Sequence, residues 1–344
     1  MPKPTNQKQL SSPSILVILM GSLGDIARAF CLVTHIKANL PGSRVTWLVE
    51  PKWEDLVRWH PQIDRVIVFK RAWRISALWD LYTDLRQEHF DITLDLQRII
   101  KSGFFSLLSG AKRRIGFHPR NAKELNWIFN NEHINYQSDN LAKIRHYLKF
   151  TEYLGLSEPN TVDFGFSTLS ISANAPRVII QQRDPFVAVV MGASWESKEW
   201  LFEGYVKLVK HILSIHQLGV ILVGDRSQRT AANILAERIH APGLINLVGQ
   251  TSLLELAAVL KAAAVAVGPD SGPGHLSAAV KTPFVSLFGP TSPKRTAPFG
   301  FEHLVVTADI NCAPCYKKKC PELNKRCMTC IKVEDIAEKI SAVL

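Results

Sequence analysis

The sequence predicts an α/β protein built from two Rossmann-like domains. At 344 residues the chain is longer than one ordinary domain. Short apolar strands alternate with amphipathic helices, and this pattern runs through the first half and again through the second. Because strand–helix–strand connections are right-handed, each half is expected to form a parallel sheet with ligands at the carboxyl ends of its strands.

In the first half the predicted strands and helices alternate without a break. Strands are expected at 15–20, 44–50, 65–69 and 92–97, and helices at 25–40, 52–59 and 75–90. The second half repeats the plan. Strands are expected at 186–192, 219–224, 244–249, 264–270 and 284–289, and helices near 202–216, 228–239, 252–263 and just after 270.

These elements set the expected domain organisation. We expect a loose tail over 1–13, a first domain over 14–170, a second over 185–330 that includes a cysteine-rich segment at 312–330, and a C-terminal helix over 331–344.

No apolar run reaches the ~18 residues of a membrane span, and no secretory signal is evident, so a cytoplasmic protein is expected. The net charge of +11 favours phosphate-bearing partners, whether lipid, nucleic acid or small ligand.

The first predicted strand runs into MGSLGD. Gly21 and Gly24 allow a tight turn into a helix, but the spacing is GxxGD and not the dinucleotide-binding GxGxxG. Asp25 places a carboxylate where a phosphate would otherwise meet the helix N-terminus. It is either a simple helix cap or a general base. Glu50, at the end of the next strand, keeps an NAD-binding alternative open, since an acid there could hold a ribose.

The second half contains a candidate anion site. Gly192, Ala193 and Ser194 follow its first strand and could expose backbone amides, with Lys198 just beyond them. The stretch GPDSGPGHLSAAV adds a helix start whose free amides and His275 suit a phosphate, while Asp270 suits sugar hydroxyls. The expected donor-binding residues are Gly192, Ser194, Lys198, Gly224, Asp225, Asp270, Ser271, Gly272, Gly274 and His275.

Five cysteines crowd near the C-terminus, at 312, 315, 320, 327 and 330. Two CxxC pairs could hold a structural zinc ion through thiolates, and in a cytoplasm this reading is favoured over disulfides. Free thiols are the alternative. The chain lacks GxxxxGK[ST], HExxH, GxSxG and a metal-binding DxD.

In order and spacing these stretches resemble glycosyltransferase family 9, the ADP-heptose lipopolysaccharide heptosyltransferases. The resemblance covers most of the chain and is carried by GSLGD, GASWESKEW, LVGQTSLLELAAVLKAAAVAVGPDSGPGHLSAA, LFGPTSP and the segment from CAPC to RCM. One departure is Leu201, where the family usually has a proline after the tryptophan; the position is interpreted as a helix entry.

The resemblance implies a GT-B fold, with an acceptor-binding first domain and a nucleotide-sugar-binding second domain facing each other across a cleft. It implies an inverting, metal-independent transfer of heptose from ADP-heptose to the lipopolysaccharide inner core, with no cofactor required. Asp25 would be the base, and Lys198 with the 270–275 turn would stabilise the leaving diphosphate.

The acceptor is then a lipid-linked oligosaccharide, and the enzyme would contact the anionic inner face of the cytoplasmic membrane. The expected acceptor-binding residues are Gly24, Lys70, Arg71, Arg74, Arg113, Arg114 and Arg120. Three alternatives stay open: a GT-B-type nucleotide-sugar epimerase, an NAD-binding Rossmann enzyme, and a zinc-stapled nucleic-acid binder. No specific nucleic-acid partner is expected.

Overall fold

The computed structural model describes residues 12–70, 75–181, 184–322 and 324–344. The chain divides into two compact units, Met1–Phe166 and Ser167–Leu344, which we call the first and second domains. In the described residues each domain contains one six-stranded sheet in which every pair of neighbours is parallel.

The first sheet has the strand order β3-β2-β1-β4-β5-β6. Its strands are β1 Ser14–Ile18, β2 Arg44–Val49, β3 Arg65–Val68, β4 Ile92–Asp95, β5 Arg113–Gly116 and β6 Glu132–His133. The described helices of this domain are α1 Leu23–Asn39, α2 Glu54–Trp59, α3 Ile75–Arg86, α4 Ile100–Leu108 and α5 Lys143–Tyr153, with 3₁₀ turns at Pro51–Trp53 and Asn126–Phe129.

The second sheet has the order β12-β11-β10-β7-β8-β9. Its strands are β7 Phe186–Met191, β8 Gly219–Gly224, β9 Leu244–Asn246, β10 Val265–Pro269, β11 Phe284–Phe288 and β12 Val305–Thr307. The described helices are α6 Ile171–Asn174, α7 Arg177–Ile180, α8 Phe202–His211, α9 Arg229–Ile239, α10 Leu253–Ala262, α11 Gly272–Ala279, α12 Pro293–Thr296, α13 Arg326–Thr329 and α14 Val333–Ser341. Short 3₁₀ turns occupy Glu196–Lys198, Arg226–Gln228 and Glu302–Leu304, and a π-helical turn, Ile212–His216, extends α8.

The predicted fold class is confirmed: each half is a parallel α/β domain. Central strands such as β1 and β7 are buried along almost their whole length, as expected when helices cover both faces. The short strands β5, β6 and β12 were not predicted from the sequence. The residues of β5 begin with two arginines and read as a basic cluster, and β6 spans two residues, too few for a periodic pattern.

The strand order reverses once in each sheet. In the first domain β1 lies between β2 and β4, and in the second β7 lies between β8 and β10. Chain connections leave such a point in opposite directions, so the loops after the two strands diverge and open a crevice at their carboxyl ends. The loops after β1 and β4, and those after β7 and β10, are therefore where each domain is expected to bind a ligand.

No helix in the described part of the chain is long and apolar enough to cross a membrane.

Candidate functional site

Asp25 lies in the first turn of α1, directly after β1. Ser22 caps the helix: its hydroxyl accepts from the Asp25 amide at 3.4 Å and donates to Asp25 Oδ2 at 2.8 Å. Gly21 makes this turn tight, because a Cβ there would stand 3.3 Å from Asp25 Oδ2. Both sequence interpretations of Asp25 therefore start from a real helix N-terminus, but the cap itself is Ser22.

Three side chains converge on the other carboxylate oxygen of Asp25. Its Oδ1 accepts from Arg28 Nη2 at 2.7 Å, from Lys143 Nζ at 3.2 Å and from the Tyr147 hydroxyl at 3.2 Å. Arg28 comes from the next turn of α1, whereas Lys143 and Tyr147 come from α5, which packs along α1. A helix cap needs none of these partners, so the arrangement goes beyond capping.

A pocket opens at this carboxylate, at the reversal point of the first sheet. Its walls come from the ends of β1 and β4 and from α5, and they are Leu19, Asp25, Leu96, Gln97, Arg98, Phe117, Lys143, His146 and Tyr147. Gln97 Oε1 accepts from the Met20 amide at 2.7 Å, which ties the two diverging loops together. Arg98 has a φ of 69° and its guanidinium lies 5.3 Å from the Phe117 ring centroid.

The charges around Asp25 decide its protonation state. Burial alone would raise the pKa of Asp25, but the Arg28 and Lys143 cations outweigh burial and hold it well below the ordinary 3.8. Burial, reinforced by the Asp25 charge, raises the pKa of Tyr147 well above 10.0. Asp25 is therefore a carboxylate and Tyr147 a protonated hydrogen-bond donor at every physiological pH.

Lys198 and Asp270 form the corresponding charged cluster in the second domain. Lys198 follows β7, Asp270 follows β10, and Nζ lies 2.6 Å from Oδ2 with both side chains largely buried. Asp270 Oδ2 also accepts from the Thr291 hydroxyl at 2.6 Å, and Lys198 Nζ lies 4.6 Å from the Trp195 ring centroid. The sequence places these two residues in one site, and the structure brings them together as an ion pair.

Helix α11 begins immediately after Asp270. Ser271 is its N-cap, Gly272 and Pro273 open the first turn, and His275 is buried within that turn. Gly274 has a packing role, because a Cβ there would stand 2.9 Å from the Phe284 ring. The N-terminal end of this eight-residue helix, where Ser271 to Pro273 are half-buried, offers backbone N–H groups beside the Lys198–Asp270 pair.

Several other predicted donor-binding residues make hydrogen bonds or caps within the second domain. The Gly192 amide donates to the Tyr205 hydroxyl at 3.3 Å, so it is not the open phosphate donor that the sequence suggests. Gly192 has a φ of 76°, a conformation suited to glycine. Asp225, after Gly224, is the N-cap of the 226–228 turn and forms a capping box with Gln228. Ser194 is exposed in the loop before Lys198.

The predicted basic acceptor-binding residues are dispersed. Arg113 is held by a bidentate pair with Glu132, at 2.8 Å for both contacts, and Arg114 donates to the Phe129 carbonyl at 3.1 Å. Lys70 and Arg120 are exposed. Arg71 and Arg74 lie outside the described residues. Gly24 is buried beside Asp25, and the cations that do face Asp25, Arg28 and Lys143, are ones the sequence did not single out.

Two observations bear on the alternatives. Glu50, which kept an NAD site open, pairs with Lys101 at 3.1 Å, with both side chains mostly buried. Leu201 is the N-cap of α8, which confirms that this position is a helix entry.

The predicted zinc site receives no support. All six cysteines are free, and among the described residues no three His, Cys, Asp or Glu side chains are grouped so as to hold a metal ion. Cys327 packs in the core of the second domain, whereas Cys312 and Cys330 are exposed. Burial, and then the neighbouring thiols of Cys312, Cys315 and Cys320, raise the pKa of Cys327, so it remains a thiol.

The chain is similar to known proteins over nearly its whole length. The family model for glycosyltransferase family 9 (heptosyltransferase) matches residues 78–326. The lipopolysaccharide core heptosyltransferase OpsX of Haemophilus influenzae is 27% identical, with 94% of each chain covered. Lipopolysaccharide heptosyltransferase 1 of Pseudomonas aeruginosa is also 27% identical, over 89% of this chain and 87% of that protein.

A solved structure shares the fold. The heptosyltransferase WaaC of E. coli, solved with ADP, has a TM-score of 0.78 at 22% identity, covering 96% of this chain and all of that one (100%). The likeness confirms the two-domain GT-B fold class.

The Asp25 cluster predicts a specific pH dependence of stability. Because folding lowers the pKa of Asp25, its ion pairs stabilise the protein fully above the ordinary 3.8 and less as the pH falls below that value. Asp25→Asn removes the carboxylate that pairs with the buried Arg28 and should lower the free energy of unfolding by roughly 3 kcal/mol at neutral pH. Urea unfolding should show that the difference in free energy of unfolding between wild type and Asp25→Asn becomes smaller below about pH 4. Asp80→Asn, at an exposed acid of α3, is the control and should change little; a pH-independent gap for Asp25→Asn would contradict the assignment.

Proposed function

Since the chain belongs to glycosyltransferase family 9, the heptosyltransferases, we propose that it transfers a heptose from ADP-heptose to the inner core of lipopolysaccharide. The names of the two relatives and the ADP bound to the solved structure support this donor and acceptor. The observation that carries the proposal is Asp25, an ionised carboxylate held at the mouth of a pocket by α5. The enzyme is proposed to act at the cytoplasmic face of the membrane.

Asp25 is the proposed general base. Its Oδ1 is occupied by Arg28, Lys143 and Tyr147, whereas Oδ2 accepts from Ser22 and has a second lone pair for an acceptor hydroxyl. As the acceptor oxygen attacks the anomeric carbon, its proton passes to Asp25 and the bond from that carbon to the diphosphate breaks. A single displacement from the opposite face inverts the anomeric centre and releases ADP.

The low pKa of Asp25 makes it a weak base until its cations are redirected. A general base works best with a pKa near the working pH. Lys143 is the more exposed and more distant partner: its side chain is 30% exposed and lies 3.2 Å from Oδ1, whereas that of Arg28 is 7% exposed at 2.7 Å. We propose that an acidic group of the acceptor draws Lys143 toward itself, which raises the pKa of Asp25 only when substrate is bound.

Lys198 is the proposed counter-charge for the leaving diphosphate. In the structure Asp270 neutralises it, and donor binding would replace this carboxylate with phosphate oxygens. The N–H groups at the start of α11 and His275 would complete the cradle, and Asp270 would turn to the hydroxyls of the sugar. With a lysine and a helix N-terminus in this role, we propose that transfer needs no divalent cation.

Asp25→Asn should separate chemistry from donor binding. The amide cannot accept the proton, so turnover of ADP-heptose with an inner-core acceptor should fall by roughly 10²–10⁴. ADP affinity, measured by calorimetry, should stay unchanged because the donor residues lie in the second domain. Asp80→Asn is again the matched control. Unchanged turnover, or epimerised sugar formed without acceptor, would overturn the proposed reaction.

Lys143→Gln should affect both acceptor binding and the pH profile. Loss of a charged contact should raise KM for the acceptor by roughly tenfold. Because the Lys143 cation lowers the pKa of Asp25, its removal should move the acid limb of kcat/KM to higher pH. Lys149→Gln is a close control, since Lys149 lies on the same helix with an equal side-chain exposure of 30%. An unmoved acid limb would show that Lys143 does not tune the base.

Lys198→Gln should weaken the donor step. Turnover should fall by about 10²–10³, as for loss of one transition-state donor, and ADP should protect the variant less against thermal unfolding. Lys207→Gln, at an exposed position on α8, is the control.

Among ADP-, UDP- and GDP-sugars, ADP-heptose should give wild type the largest thermal shift. Chelation of divalent cations by EDTA should leave the turnover of wild type unchanged. Loss of turnover in EDTA would contradict the proposed role of Lys198 and α11.

A further inference from the structure

We propose that an exposed apolar surface of the first domain docks the protein on an anionic lipid bilayer. This surface, the α4 patch, consists of Ile100, Phe104, Leu107, Leu125, Trp127 and Ile128, each 38–60% exposed. The inference rests on the proposed function, because an acceptor attached to lipid must be reached at a membrane surface.

Helix α4 turns an apolar face to solvent, whereas its buried residues are Ser102, Gly103, Phe105 and Ser106. Phe105 is buried in the first-domain core, whereas Ile100, Phe104 and Leu107 are 47%, 39% and 44% exposed. The spacing of these three residues, i, i+4 and i+7, puts them on one face of the helix. A surface helix ordinarily turns a polar face to water, so this exposed apolar face is not explained by the folding of α4.

The neighbouring 3₁₀ turn extends the patch. It packs so closely on α4 that a Cβ on Gly103 would stand 2.8 Å from the Asn126 carbonyl oxygen, and the Phe104 and Phe129 ring centroids are 6.4 Å apart. Leu125 is 60% exposed and has a φ of 58°, a conformation that costs a leucine about 1 kcal/mol or more. The chain thus adopts a strained backbone while presenting an apolar side chain to solvent.

Hydrogen bonds connect the segment that carries the patch to the segment that lines the Asp25 pocket. The Lys123 amide donates to the carbonyl of Arg98, a pocket residue, at 2.8 Å. Asn126 Nδ2 donates at 2.6 Å to Asp95, the buried acid that ends β4. A bilayer bound to the patch would therefore lie next to the pocket proposed to take the acceptor.

Charge favours a bilayer over a second copy of the chain. Lys123 precedes the 3₁₀ turn and Lys112 follows α4, and both are exposed. Glu124 is exposed as well, and its carboxylate accepts from the Ile100 amide at 3.3 Å, but the net charge of the chain is +11. Self-association through the patch would bring these cations together, whereas anionic headgroups would neutralise them. Trp127 suits the boundary between headgroups and acyl chains, where an amphipathic ring is most stable.

Flotation with vesicles tests the proposal. Wild type should bind vesicles of phosphatidylethanolamine and phosphatidylglycerol, and bind phosphatidylcholine vesicles more weakly. The double variant Leu125→Asn/Ile128→Gln should lower the partition coefficient by about tenfold or more, because two apolar side chains no longer enter the bilayer. Asn tolerates the left-handed conformation at 125, so folding should be kept. The control Ile215→Gln/Ile234→Gln removes isoleucines that are 66% and 50% exposed in the second domain and should bind like wild type.

Further measurements distinguish failure of the docking surface from failure of the proposed function. Lys112→Gln/Lys123→Gln should weaken binding to anionic vesicles in low salt and matter less in high salt. Turnover of a delipidated acceptor should be unchanged in the Leu125→Asn/Ile128→Gln variant; absence of this turnover in wild type would reject the proposed function instead. Equal vesicle binding by wild type and the patch variant would overturn the docking surface. The proposal would also be overturned if wild type formed a dimer that did not bind vesicles and the Leu125→Asn/Ile128→Gln variant were monomeric. The patch would then bind a second copy of the chain.

Discussion

The reversal of strand order in each sheet is the constraint on which both candidate sites depend. β1 pairs with both β2 and β4, and β7 with both β8 and β10, so the chain leaves each central strand in two directions. The crevice that results needs no residue of special chemistry, because it follows from right-handed crossovers. Asp25 and Lys198 both follow a first strand of a sheet, which places one charged group at each crevice.

Each of these charges is neutralised within its own domain. Asp25 is balanced by Arg28 and Lys143, and Lys198 by Asp270. A buried charge without a partner would cost several kcal/mol, so pairing keeps the unliganded site stable. In the proposed mechanism, Lys143 and Asp270 are the partners that a substrate would displace, which would link binding to the chemistry.

In the proposed function, the first domain carries both the general base Asp25 and the α4 patch that docks on the membrane. Asp95 anchors the 3₁₀ turn through Asn126, and the carbonyl of Arg98 accepts from the Lys123 amide, so the loop that lines the pocket also supports the α4 patch. Burial raises the pKa of Asp95. These contacts connect the loop that lines the pocket to the turn that carries the apolar surface, and an acceptor embedded in lipid would be presented near the pocket.

The fold class and most strands and helices follow from the sequence alone, because short-range periodicity and turn chemistry are local properties, and the same turn chemistry singles out Asp25, Lys198 and Asp270 as candidate site residues. The sequence does not show that the Gly192 amide donates to the Tyr205 hydroxyl, or that Cys327 packs in the core of the second domain. Lys143 and Tyr147 lie 118 and 122 residues from Asp25 and carry no local signal. Only the packing of α5 on α1 could place them at the carboxylate, since a charge acts through distance in space and not through separation along the chain.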